Sequence, residues 1–245
     1  MFSLRRIFAF LTVSVLVLTV FSTSALAASP AKMNEAEALR VRTPMNIAIL
    51  IQDDLISRVG NELGVTRDFI RSLPAGSRVM VGYITSGSLQ VRQPFTTDLN
   101  LAAGSLRIPS ASTAVSAFNP YVEVIEALRK FDPSWKGPNA VLLISDGLDV
   151  SRGFDTTAAG HTLDIDRTIS EARRRNVAIY SFYAPSVGFT SRSNLAASYG
   201  QSSLNRVSEE TGGRAFFQGT TGFVTFDSYF NRLRQELNRQ YATAS

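Results

Sequence analysis

Cysteine is missing from this 245-residue chain. Its absence excludes disulfides, thiolate metal sites and cysteine nucleophiles together. Histidine is nearly missing too. His161 stands alone, in the polar stretch TTAAGHTLD, where a solvated side chain is the ordinary outcome. A Ser-His-Asp arrangement would have to run through it, and no G-x-S-x-G elbow accompanies it. Lysine occurs only at Lys32, Lys130 and Lys136, so the net charge of +5 comes mainly from arginines. These are scattered, with one dense cluster at 173–175. Nucleic-acid binding needs a concentrated basic face, which this spacing does not provide. No internal repeat and no low-complexity tract is present. With 44% hydrophobic and 18% charged residues, the chain can bury one sizeable α/β core and has little room for a second.

The long apolar run lies at the N-terminus. Arg5 and Arg6 give a positive start, residues 7–21 are the apolar middle, and Ala25-Leu26-Ala27 sets small residues where a signal peptidase reads. That middle spans about 15 residues, short of the about 20 that cross a bilayer. Residues 1–27 are therefore expected to be a cleaved secretory signal. The product is expected in the periplasm or outside the cell, with no stable membrane span. Residues 28–43 read as an N-terminal linker, 44–241 as the folded domain and 242–245 as a short tail.

The stretch NIAILIQDDLIS, at 46–57, organises the rest. Residues 47–51 form a continuous apolar run, which suits a strand buried on both faces of a parallel sheet. The run stops at Asp53 and Asp54, which a core does not tolerate unpaired. Apolar residues then recur at helical spacing from Leu55, Val59 and Leu63. Residues 140–144 repeat this grammar, followed by Ser145, Asp146, Gly147, Leu148 and Asp149. Two such central parallel strands would set their carboxyl ends side by side, where open α/β sheets place their sites. Asp53 and Asp146 would then share one crevice.

Strands are expected at 45–52, 78–84, 89–95, 140–145, 178–183 and 215–217, and helices at 55–72, 121–131, 163–175, 204–211 and 227–241. Asn119-Pro120 supplies a cap and a first-turn proline for the second helix. The turn at 85–88 is too short for a parallel crossover, and Pro94 suits an edge, so strands two and three form a hairpin. Residues 100–118 and 185–202 read as loops. The fold class is α/β: a doubly wound, mostly parallel six-stranded sheet, Rossmann-like, with one antiparallel edge strand and helices on both faces.

Four pieces in this order carry a resemblance: residues 47–57, VLLISDGLD at 141–149, SLNRVSEETGGRAFF at 203–217 and the closing LRQELNRQY. Over 43–241 the chain resembles a von Willebrand factor type A domain of the bacterial secreted form. The resemblance implies an exported protein-binding (adhesion or scaffold) module. It also implies a magnesium or manganese ion at a metal-ion-dependent adhesion site on the carboxyl edge of the sheet. There a D-x-S-x-S segment, a threonine and a later aspartate hold the metal, which accepts an acidic side chain from the partner. Carried over, Asp53 takes the first aspartate position, Ser57 the second serine and Asp146 the last aspartate. Leu55 stands where the first serine belongs. The threonine position falls on Asn119, or on Thr113 in another register, and Asp54 is an added charge. The ligand set is thus degenerate. In the alternative, the rim is vestigial, with Asp53 and Asp146 held by backbone N–H groups or an arginine.

A dinucleotide fold needs G-x-G-x-x-G after the first strand, where Asp53-Asp54-Leu55-Ile56-Ser57 stands. A metal-assisted hydrolase is the enzymatic alternative; it needs a base or several ionisable ligands, and this rim offers carboxylates and hydroxyls only. The chain is therefore expected not to be an enzyme. The segment 189–199 follows the fifth strand and is expected to wall the binding surface, with residues 190–197 dispensable for folding.

Overall fold

The strands are β1 (Asn46–Gln52), β2 (Arg78–Thr85), β3 (Ser88–Thr96), β4 (Asn139–Ser145), β5 (Val177–Tyr183) and β6 (Ala215–Phe216). They join in one sheet in the order β3-β2-β1-β4-β5-β6. All neighbours run parallel except the β2–β3 hairpin at the edge. The computed structural model describes residues 40–151, 161–219 and 225–241. The expected signal at 1–27, most of the linker and the tail at 242–245 lie outside the described residues. No described helix is long and apolar enough to cross a membrane.

Six α-helices are described: α1 (Val59–Arg71), α2 (Leu99–Gly104), α3 (Pro120–Leu128), α4 (Leu163–Arg174), α5 (Asn194–Glu210) and α6 (Asp227–Tyr241). Every residue of β1, β4 and β5 is buried. Side chains alternate across a strand, so each of these strands feeds two cores. Ile47, Ile49 and Ile51 pack with Phe69 and Phe230 under α1, α2 and α6. Ala48 and Leu50 pack with Tyr121, Val124 and Leu204 under α3, α4 and α5. Each fully buried side chain of this size stabilises by roughly 1.5–3 kcal/mol. Phe182 of β5 anchors α6 through edge-on contacts with Tyr229 and Phe230, at ring-centroid distances of 5.2 and 4.9 Å.

The expected sheet, its hairpin edge and the Asn119 cap are observed. Asn119 Oδ1 accepts the Tyr121 N–H at 3.0 Å, with Pro120 opening α3. Three local expectations are corrected. The first helix starts at Val59, not Leu55, because Leu55 instead makes an antiparallel bridge to Ser186. The 100–118 loop holds the end of α2, which Asp98 caps by accepting from Asn100 and Leu101. The long loop after β5 ends early, because Ser193 caps α5 ten residues ahead of the expected start. The Ser-Gly-Asn composition there is loop-like. However, small residues are what allow close packing. A side chain at Gly200 would meet the Asp146 carbonyl oxygen at 1.9 Å, so α5 lies directly against the chain leaving β4.

Candidate functional site

β1 and β4 are parallel neighbours in the register Ile51 to Ile144. Their carboxyl ends therefore lie side by side, and the acids following them meet different surroundings. Asp53 is buried, at 2% exposure. Arg107 Nη1 and Nη2 donate to its two carboxylate oxygens at 2.6 and 2.9 Å. Ser110 adds its backbone N–H at 3.0 Å and its hydroxyl at 2.9 Å. Burial pushes the Asp53 carboxyl up, but Arg107 and Ser110 together outweigh it and hold the group below the usual carboxylate range. Arg107 is itself fixed from the sheet. Tyr83 of β2 donates its hydroxyl to the Arg107 carbonyl at 2.6 Å and accepts the Arg107 N–H at 2.7 Å. The guanidinium carbon sits 4.0 Å from the centre of the Tyr83 ring. This planar bidentate pair is the strong form of a charge-assisted hydrogen bond.

Asp54, not Asp53, neighbours Asp146 electrostatically. Gln52 links the two: its amide donates to Asp54 Oδ1 at 2.7 Å, while its Oε1 accepts the Ser145 hydroxyl at 2.5 Å and the Asp146 N–H at 3.2 Å. The Ser116 hydroxyl donates to the other Asp54 oxygen. Asp146 accepts from the Leu148 N–H and the Thr190 hydroxyl, both at 3.1 Å. Burial, then the charge of Asp54, push Asp146 up to about 6 against the donors' opposing effect. Burial also raises Asp54.

The other sequence candidates are dispersed. Ser57 is exposed in the turn before α1. Leu55 is fully buried in the core. Asn119 spends its oxygen on the cap and donates its amide to Asp164 of α4 at 2.8 Å. Thr113 is exposed in a 3-10 turn. Magnesium demands near-octahedral oxygen ligands at about 2.0–2.1 Å. Both Asp53 oxygens already accept from Arg107 and Ser110, Leu55 has no oxygen to give, and the Asn119 oxygen is taken. No group of three acidic or histidine side chains is gathered among the described residues. The ligand set carried over from the resemblance is therefore not assembled around Asp53. The positive charge beside Asp53 is a guanidinium. Sequence reasoning passed over Gln52, Arg107, Ser110, Ser116, Ser186 and Thr190. The signal that pointed toward them was the need of two neighbouring acids, Asp53 and Asp54, for neutralising partners.

Above this network lies a pocket of about 430 Å³, lined by Thr113, Ser116, Phe118, Val150, Gly188, Phe189, Arg192 and Ser193. The loops that form it are tied together. Val150 N–H donates to the Phe118 carbonyl at 2.8 Å, Ile56 N–H to Pro185 at 3.0 Å and Val187 N–H to Asp54 at 2.9 Å. The segment after β5 therefore does wall the edge. Within it, Thr190 is buried on Asp146, and Ala196 and Ala197 are buried in the first turn of α5, so residues 190–197 are packed into the fold rather than hanging free of it.

No protein-family model matches the chain, and no curated protein matches it. Solved structures do. The chain is similar to BatB from Bacteroides thetaiotaomicron, at 14% identity and a TM-score of 0.54, with 82% of this chain and 100% of that one covered. It is also similar to an aerotolerance-related membrane protein from Bacteroides fragilis, at 14% identity and a TM-score of 0.50, covering 81% and 100%. The VWA domain of SpRpn10 aligns at 11% identity and a TM-score of 0.43, covering 81% and 95%.

Proposed function

We propose that this chain, which has the von Willebrand factor A-type fold, is an exported, non-enzymatic module that binds a protein partner on the carboxyl edge of its sheet without a bound metal. One observation carries this: the carboxylate that would anchor the cation is satisfied by Arg107 and Ser110. A metal-dependent rim leaves its ion electrophilic, ready for a partner's acid. Here Asp53 is neutralised from within by Arg107, and the outer loops are left for contact. Export rests on the leader at 1–27. Catalysis is disfavoured because a nucleophile and a base must lie within hydrogen-bond reach of one reacting atom. The rim acids instead face donors that already occupy them.

The cysteine-free chain allows a direct test. Single cysteines placed at exposed Thr113 on the carboxyl edge, or at exposed Lys136 on the opposite edge, are coupled to a bulky polyethylene glycol maleimide. Capture of a partner from an envelope extract is expected to survive the Lys136→Cys conjugate and to be lost with the Thr113→Cys conjugate. Capture is also expected to be equal in magnesium and in EDTA. Abolition by EDTA, or survival of both conjugates, would overturn the proposal.

A further inference from the structure

We propose that the pocket beside Phe118 and Phe189 receives an extended peptide, which inserts a large apolar side chain and sets an adjacent carboxylate against Arg192. The inference rests on the carboxyl edge being the binding face and names what that face recognises. Phe118 and Phe189 are 57% and 61% exposed, and both line one pocket with Val150 between the loops. Single exposed apolar residues are ordinary, but aromatics gathered at one concavity mark a docking surface. The volume of about 430 Å³ falls in the usual range for ligand sites, roughly 300–1,000 Å³.

Charge selects the rest of the ligand. Arg192 is exposed, and among the described residues its guanidinium makes no ion pair, unlike Arg107 on Asp53. It stands one residue before Ser193, the cap of the 17-residue α5, whose first turn holds no acid. The positive end of that helix and the guanidinium thus add at the pocket mouth. Asp149, the acid next to Val150 in the chain, is turned to Ser151, whose N–H and hydroxyl it accepts at 3.0 and 2.7 Å. The backbone bonds from Arg192 and Ser193 to the Phe189 carbonyl, at 3.1 and 3.0 Å, fix the arginine relative to the ring. A ligand with an apolar side chain and a carboxylate one residue apart satisfies both features. A neutral hydrophobe leaves the guanidinium unused, and a simple anion leaves the rings in water.

The test is amide chemical-shift titration of the ¹⁵N-labelled full chain with blocked pentapeptides at millimolar concentration. The peptides carry a central Phe-Glu, Phe-Gln, Ala-Glu or Phe-Lys pair. The Phe-Glu peptide is expected to shift the amides of Ser116, Phe118, Val150 and Arg192. Replacing its Phe by Ala should weaken binding about ten-fold or more, from lost apolar burial. Replacing Glu by Gln should weaken it about two- to five-fold, as for a partly exposed ion pair. Arg192→Glu, an exposed substitution that leaves the fold intact, should reverse the preference toward the Phe-Lys peptide. Shifts elsewhere, equal binding of Phe-Glu and Phe-Gln peptides, or no reversal in Arg192→Glu would each overturn the pocket assignment. The conjugate experiment above fails or succeeds separately. If the Thr113→Cys conjugate blocks capture while Arg192→Glu does not, the edge binds a partner by another chemistry.

Discussion

Removing Arg107 is expected to expose the cost of the charge it balances. In Arg107→Ala, Asp53, 2% exposed in the intact protein, keeps only the two Ser110 donors. Breaking a buried pair from one side costs about 3–5 kcal/mol. The Arg107 side chain is 30% exposed, so water reaches the vacated space and the lower end of that range applies. Losing the contact with the Tyr83 ring adds roughly 0.5–1 kcal/mol. The variant is therefore expected to be about 3.5–4 kcal/mol less stable at pH 7. The pH dependence carries a sign. With Arg107 present, the Asp53 carboxyl is held low, so its stabilising contribution is present above the unfolded carboxylate pKa and is lost as pH falls through the folded one. Without Arg107, burial dominates and Asp53 takes up a proton more readily. The gap between wild type and variant should therefore narrow as pH falls. Urea denaturation at pH 7 and pH 4 measures both quantities. A cycle with Asp53→Asn isolates the coupling, expected to exceed about 1.5 kcal/mol. A cost below about 1 kcal/mol at pH 7, or the same cost in the Asp53→Asn background, would refute the counter-ion role.

Further perturbations probe neighbouring parts of the rim. Magnesium or manganese at millimolar concentration is expected to leave the melting temperature unchanged relative to EDTA; a concentration-dependent rise would show a site that the donor set does not provide. Asp146 is raised to about 6, so its contribution is fully present below the unfolded pKa and is lost as pH rises through about 6. Asp146→Asn should thus gain on wild type, by up to about 3 kcal/mol, between pH 4 and pH 7, and parallel pH profiles would contradict this. Gly200→Ala should cost roughly 1–3 kcal/mol by overpacking, because the new methyl meets the Asp146 carbonyl; an unchanged denaturation midpoint would mean that α5 is free to withdraw.

The sheet was legible because its central strands are apolar on both faces, and because Pro94 and a four-residue turn marked the edge hairpin. Helix starts were less legible. Leu55 fits a helical periodicity and is indeed buried, but its backbone pairs with Ser186, a partner set by tertiary structure. The start of α5 was hidden by small polar residues that favour loops when exposed and favour close approach when packed. The acids at the strand ends could be read as a rim. Their partners could not. Arg107 lies 54 positions from Asp53, in a segment without strong periodicity. Tyr83 of β2 holds its backbone beside the carboxylate. Gln52 read as the last residue of a strand, yet its amide is the link between Asp54 and Asp146.

The bridge between Leu55 and Ser186 has a kinetic consequence. It laces the loop leaving β1 to the loop leaving β5, so the edge proposed above to meet a partner is organised before any visitor arrives. Little ordering entropy is then surrendered on association. Visitors that differ in fit should arrive at similar speeds and be told apart by how long they stay.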